Sequence, residues 1–329
     1  MKKNLIFLLF AFFLLFLSLQ VIDQVILKKK GLGKPILYYL SPDISYGLRP
    51  SQRFSRDQIN FLEINNLGMR SSENWNENIT KEKYKILLFG DSVLYGGTYV
   101  DNKDILSYKL CEKLKEIKNK KTICGNFGTN AYGITNIINR VMKENLDIKG
   151  DLIIVQLTSG NIRRGKTSIS GQPFYSKPIE GFLKGFKEII FFYYDNLRLK
   201  FRYSKDNTLS WEKFDKYYFK DEKRNLNQNI ENFYNNEIIL LLNYLNNSNF
   251  NYLIIYWPSK SELEKNKVPI QKKILKNLSE NYTDNFLFIN NVNKNLINKI
   301  YYDDIHLTKF GHEYLAEKIY DKLKKINDE

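Results

Sequence analysis

Lys85-Ile86-Leu87-Leu88-Phe89-Gly90-Asp91-Ser92 sets the architecture of this chain. Four consecutive large apolar residues with no polar alternation describe a strand covered on both faces, as in a parallel α/β sheet. Gly90 permits a sharp turn and leaves Ser92 at the strand's carboxyl end, the edge at which open α/β sheets hold their ligands. The same residues also fit a plain strand followed by an Asp/Ser helix cap. The remainder of the chain separates the two.

Downstream of Lys83, segments of strand and helix character alternate. Strands are expected at 86–89, 122–127, 151–157, 251–257 and 286–290. Helices are expected at 105–117, 134–146 and 308–326, the last capped by Thr308. This order predicts an α/β fold, a three-layer α/β/α sandwich on a roughly five-stranded parallel sheet, over residues 84–329. An excursion at about 162–227 is too long for an ordinary connection. It is basic and rich in aromatics, among them Phe174, Tyr175, Phe191, Trp211 and Tyr217. A lid, a satellite core and a membrane-facing patch all fit it.

Upstream, residues 31–83 carry Gly, Pro, Ser and Asn at short intervals and read as a loop- and β-rich prelude. Residues 1–30 read as a membrane anchor. An apolar run at 5–22, broken only by Ser18 and Gln20, is close to the shortest length that spans a bilayer as a helix. No small-x-small cleavage site follows it, which favours an uncleaved transmembrane signal anchor. Lys2 and Lys3 favour a cytoplasmic N-terminus, whereas Lys28, Lys29 and Lys30 pull the other way, so the flanking charges leave orientation open.

The net charge is +15, from 51 Lys+Arg against 36 Asp+Glu. Lysine is spread over every segment with no arginine-rich block, so no nucleic-acid partner is expected. The two cysteines, Cys111 and Cys124, cannot by themselves build a disulfide framework or a zinc site, and whether they pair stays open. No cofactor or metal is expected.

The chain has only two histidines, His306 and His312. A serine nucleophile that needs an imidazole base must use one of them. His312 falls inside the final helix, as a partly packed side chain. His306 precedes that helix, in Tyr302-Asp303-Asp304-Ile305-His306-Leu307-Thr308. An acid three positions before a histidine on a loop can accept a hydrogen bond from one ring nitrogen. The other nitrogen is then free to take a serine proton.

Together these blocks resemble the SGNH/GDSL family of serine esterases and acyltransferases. Gly90-Asp91-Ser92 is similar to its first block, and Asp303-x-x-His306 with Leu307-Thr308 and Gly311-His312 is similar to its last. The resemblance covers roughly residues 84–326, apart from the insertion, and implies an SGNH, flavodoxin-like sandwich. It implies Ser92 as nucleophile, His306 as general base and Asp303 as the residue orienting it. The family's second block is matched by Asn126-Phe127-Gly128-Thr129-Asn130-Ala131-Tyr132-Gly133, with Ala131 where glycine is usual. Its third block is matched by Ser159-Gly160-Asn161, followed by Ile162 and Arg163 where an acid is usual. By resemblance the oxyanion donors are Asn161, Ala131 and Gly128.

The expected function is a membrane-anchored serine hydrolase or O-acyltransferase acting on an ester of a carbohydrate or cell-envelope component through an acyl-serine. Family habit and the anchor imply an extracytoplasmic, periplasmic catalytic domain. Two other readings stand beside it. One is a catalytically silent binding or assembly protein on the same fold. The other is a phosphate loop at 160–167, since Gly160-Asn161-Ile162-Arg163-Arg164-Gly165-Lys166-Thr167 satisfies G-x-x-x-x-G-K-[ST]. Against the latter, Gly171 and Pro173 follow at once, where a phosphate loop must open a helix. An α/β-hydrolase elbow is excluded, because Gly90-Asp91-Ser92-Val93-Leu94 lacks the second glycine of G-x-S-x-G.

Overall fold

The computed structural model describes residues 2–22, 38–41, 43–55, 61–117, 119–164, 226–248, 250–266, 268–280, 282–290 and 292–328. Most of the excursion at 162–227 therefore lies outside the described residues. The chain opens with helix α1 (Lys2–Val21), whose Phe7, Phe10, Phe12 and Phe13 are all exposed. Counting only described side chains, which begin at Phe7, no helix is long and apolar enough to cross a membrane.

Two antiparallel hairpins follow, β1 (Tyr38–Ser41) with β2 (Ser45–Leu48) and β3 (Gln52–Ser55) with β4 (Phe61–Ile64). They share the core of the main sheet. Tyr46, Leu48, Leu62, Ile64, Met69 and Trp75 are buried in the same core as Leu87 and Phe89. The Tyr46 hydroxyl donates to the Asn130 carbonyl at 2.7 Å, and its ring packs edge-on against Tyr132 at 4.9 Å.

After the short helix α2 (Glu77–Thr80), strands and helices alternate. In order they are β5 (Tyr84–Phe89), α3 (Ser92–Tyr95), α4 (Leu106–Lys113), β6 (Glu116–Ile117), β7 (Lys120–Asn126), α5 (Ile134–Ile148), β8 (Leu152–Leu157) and α6 (Ser159–Arg164). The described chain resumes with α7 (Leu226–Asn247), β9 (Asn251–Tyr256), α8 (Lys260–Glu264), α9 (Ile270–Ser279), β10 (Phe286–Phe288), α10 (Lys294–Ile300) and α11 (Lys309–Asp328).

The main sheet has six strands in the order β10-β9-β8-β5-β7-β6. All its pairings are parallel except β6 with β7, which is antiparallel. The parallel strands number the expected five. The sixth arises because the helix expected at 105–117 ends at Lys113, so Glu116 and Ile117 turn back and pair with Lys121 and Lys120. Asn119, at φ 59, supplies the left-handed residue that so short a reversal requires.

Side chains alternate between two cores, one on each face of the sheet. On β5, Ile86 and Leu88 face α4 and α11, and Leu87 and Phe89 face α5 and α7. The strands are apolar without alternation because both faces are covered. Gly90 follows β5, but not for its dihedral freedom, since it is not among the positive-φ residues. A Cβ there would lie 2.6 Å from Gln156 Oε1 and 3.0 Å from Leu94 Cβ, so close approach is what excludes a larger residue.

Two links fasten α4, one to the sheet and one to the helix beside it. Cys111 on α4 and Cys124 on β7 form a disulfide, with Cα atoms 5.8 Å apart. The two are 13 residues apart in sequence, and closing a loop of that size stabilises a fold by ~3 kcal/mol. His312 on α11 is fully buried, not partly packed, and its Nδ1 accepts the Leu106 N–H at 3.3 Å. Burial, reinforced by the nearby Arg70 cation, pushes the His312 imidazole down from 6.5 to about 3.

That depression carries a sign. The unfolded chain protonates His312 near its ordinary value, and the folded chain does so only near 3. Its contribution to stability is whole above about 6.5 and is lost as the pH falls toward 3. Thermal melts should therefore show Tm falling through this window. His312→Gln should flatten that slope while lowering Tm at neutral pH. An unchanged slope in the variant would assign the acid sensitivity to other groups.

Candidate active site

The carboxyl end of β5 is organised by Asp91. Its Oδ1 accepts the Val93 N–H at 2.9 Å, capping α3. Its Oδ2 accepts from Asn161 Nδ2 at 2.7 Å and Arg164 Nη2 at 3.2 Å, and the residue is 1% exposed. Asp91 is thus a buried acceptor that joins the turn after β5 to the segment after β8. Ser92, as the first residue of α3, has a backbone N–H that no carbonyl within the helix can reach.

The turn is held from below by Arg70, a residue of the hairpin region. Its guanidinium donates to the carbonyls of Tyr95 at 2.5 Å, Gly97 at 2.6 Å and Val100, and to Asn102 Oδ1 at 3.0 Å. Burial lowers this arginine to about 10, so it stays a cation at neutral pH.

The second half of the site is the loop between α10 and α11. Ser92 Oγ lies 2.8 Å from His306 Nε2, and His306 Nδ1 lies 2.7 Å from Asp303 Oδ2. Asp303 Oδ1 accepts the N–H groups of Ile305 at 2.9 Å and His306 at 2.8 Å. Burial raises the Asp303 carboxyl, but its hydrogen bonds from His306 and Ile305 outweigh that and hold it below the usual carboxylate range.

Several residues invisible to motif reading brace this loop. Trp257 Nε1 donates to the Ile305 carbonyl at 3.3 Å, and the Lys260 N–H to the Asp304 carbonyl at 2.7 Å. The Ser261 N–H donates to Asp304 Oδ1 at 2.9 Å, and the Tyr99 hydroxyl to the Leu307 carbonyl at 3.0 Å. The only sequence signal for them is the second acid, Asp304, beside Asp303.

Of the three donors expected from the middle blocks, the structure treats each differently. Gly128 N–H donates to Asn126 Oδ1 at 2.8 Å, so it is committed within its own loop and is not offered to a substrate. Ala131 has φ 61, the left-handed conformation that costs a non-glycine residue about 1–2 kcal/mol. Asn161 is fully buried, with Oδ1 accepting the Thr158 N–H at 2.5 Å and Nδ2 donating to Asp91. Its support comes from Asp91, which Arg164 holds in turn. The Ser92 N–H, at the start of α3, is a backbone donor with no carbonyl partner inside its own helix.

The phosphate-loop reading meets an obstacle here. Ser159–Arg164 is already helical, where such a motif requires an open loop before its helix. Gly165, Lys166 and Thr167 lie outside the described residues. Among the described residues, no group of three or more His, Cys, Asp or Glu is arranged to hold a metal ion.

No protein-family model and no curated protein matches the chain. It is structurally similar, at low identity, to several solved esterases and lipolytic proteins. The lipase/acylhydrolase from Enterococcus faecalis shares 14% identity at a TM-score of 0.43, over 73% of this chain and 95% of the other. The acetylxylan esterase Axe2 from Geobacillus stearothermophilus shares 13% at 0.43, over 73% and 93%. A lipolytic G-D-S-L protein from Veillonella parvula shares 11% at 0.39, over 72% and 96%. These are likenesses of fold, and the chemistry of this chain rests on its own side chains.

The Asp91–Arg164 pair, with side chains only 2% and 9% exposed, makes a quantitative expectation possible. Removing one partner of a buried ion pair strands the other charge, at about 3–5 kcal/mol. Asp91→Ala should lower the urea-unfolding free energy by about that amount. The Asp91→Ala/Arg164→Ala double variant should lose less than the sum of the single losses. Strict additivity would show that the two groups are not coupled.

Proposed function

We propose that this protein is a serine esterase or O-acyltransferase that works through an acyl-serine on an ester of a carbohydrate or cell-envelope component. One observation carries the reading: the continuous relay from Ser92 Oγ through His306, at 2.8 and 2.7 Å, to Asp303. Ser92 Oγ attacks the ester carbonyl as His306 Nε2 takes its proton. Asp303 keeps the Nδ1 proton in place and stabilises the imidazolium that forms.

The carbonyl oxygen becomes an oxyanion and accepts hydrogen bonds from the Ser92 N–H and from the second hydrogen of Asn161 Nδ2, the first being held by Asp91. Loss of one such donor typically lowers kcat by about 10²–10³. As the tetrahedral species collapses, the alcohol leaves with the proton from His306. Water then frees the acid, or a second hydroxyl takes the acyl group; the chemistry to that point is common to both.

Residues 5–22 are proposed to anchor the protein in a membrane. Twenty helical residues extend about 30 Å, the thickness of a bilayer's hydrocarbon core. A helix apolar on all sides needs an apolar surrounding, and the described side chains from Phe7 to Val21 are largely exposed. The Cys111–Cys124 disulfide favours an oxidising, extracytoplasmic side for the domain, where the flanking lysines are undecided.

A fluorophosphonate probe should label the wild-type protein on Ser92, and Ser92→Ala and His306→Ala should not label. Equal labelling of the alanine variants would end the esterase reading. Asp303→Asn should label slowly, with turnover of an activated ester reduced by about 10⁴. For orientation, protein from cells lysed in alkylating agent should gain a maleimide tag at Cys111 and Cys124 only after reduction. Absence of the tag even after reduction, because free thiols had already been alkylated, would put the domain in the cytoplasm.

A further inference from the structure

Tyr302, the residue immediately before Asp303, is a large aromatic side chain that remains 61% exposed at the rim of the site. It is nevertheless fixed in place. Its ring stacks on Tyr99 with centroids 4.1 Å apart and an interplanar angle of 16°. Its N–H donates to the His306 carbonyl at 2.8 Å, so its backbone closes the turn that carries the imidazole.

Tyr99 is itself anchored. Its hydroxyl donates to the Leu307 carbonyl at 3.0 Å. Its ring lies so close over Gly97 (φ 68) that a Cβ there would sit 2.3 Å from Tyr99 Cε1. Arg70 in turn holds the Gly97 and Val100 carbonyls on either side of that ring. One face of Tyr302 is thus covered by a ring built into the loop after α3, and the ring is still more than half open to solvent.

An exposed aromatic is ordinarily free to rotate, and a ligand must immobilise it on binding. Here the immobilisation is already done, which is what a recognition surface requires. The ring also has neighbours that narrow its ligand. Asp303 and Asp304 follow directly in the same loop, and two carboxylates in that loop disfavour a phosphorylated or otherwise anionic partner. A neutral ring with an apolar C–H face and outward hydroxyls has the matching chemistry.

We infer that Tyr302 is the specificity-determining platform for a sugar ring of the substrate, with Tyr99 as the positioning residue that holds it. This rests on the esterase reading for its substrate class, although binding can be read without turnover. A pyranose stacked on Tyr302 carries its acyl ester toward Ser92, while a small ester with no sugar has nothing to place there.

The test compares two esters and one binding measurement. For O-acetylated xylo-oligosaccharide, Tyr302→Ala should raise KM about tenfold, and the loss in kcat/KM should exceed the loss on p-nitrophenyl acetate at least fivefold. Tyr302→Trp should restore the oligosaccharide KM. Separately, saturation-transfer NMR should detect the oligosaccharide on the Ser92→Ala protein and lose it on Ser92→Ala/Tyr302→Ala. That signal supports the platform whether or not the wild type turns over any ester. An equal loss on both esters would make the tyrosine pair a brace for the His306 loop, and the inference would be wrong. So would saturation transfer that is absent from Ser92→Ala or survives the Tyr302 change.

Discussion

The site depends first on a buried carboxylate. Asp91 caps the helix that begins with Ser92, receives the Asn161 amide and pairs with Arg164, all from a position closed to solvent. An unpaired charge in such a place is among the most expensive features a protein can contain. With its donors in place it becomes a rigid joint between the segments that follow β5 and β8. Because Asp91 is adjacent to Ser92, any shift of Asn161 or Arg164 is felt at the serine hydroxyl. The serine at the strand end is therefore held by residues some seventy positions away, more than by its own turn.

The parallel sheet explains why such distant segments meet. β5, β7, β8 and β9 run in one direction, so the loops after each emerge at a common edge. Asn126 locks the loop after β7 by donating to the Leu94 carbonyl at 2.9 Å and accepting the Gly128 N–H. Trp257, just past β9, reaches the His306 loop from the other side. The imidazole is aimed by contacts from the loops after two strands, β5 and β9, while its carboxylate partner is 47% exposed. Rigidity here comes from backbone hydrogen bonding, not from depth.

What the amino-acid order discloses follows the range of the interactions involved. Asp303 and His306 are three residues apart, and with only two histidines in the chain their pairing with Ser92 was open to inspection. The five parallel strands were visible because burial on both faces leaves an unbroken apolar run. The reversal after Lys113 was missed, since Leu114 and Ile117 continue the helical stripe and only Asn119 hints at the turn. The commitment of Gly128 to Asn126 and the support of Asn161 by Asp91 were closed to such reading. They depend on which side chains face one another across the sheet edge. The same holds for His312, whose complete burial is set by α4 and the Arg70 region, not by its own helix.

Arg70 has a consequence for what counts as the folding unit. It belongs to a segment whose composition suggests a mere connection between an apolar helix and an α/β domain. Yet its guanidinium is the shared donor for the carbonyls at Tyr95, Gly97 and Val100. A fragment begun at Lys83 would keep every strand of the main sheet and every motif residue, but lose the cation that closes the loop beside Ser92. The heritable module is wider than its signature. Recombination or truncation that respects only the motif blocks would separate the serine from its support, so the hairpins and the domain must travel together.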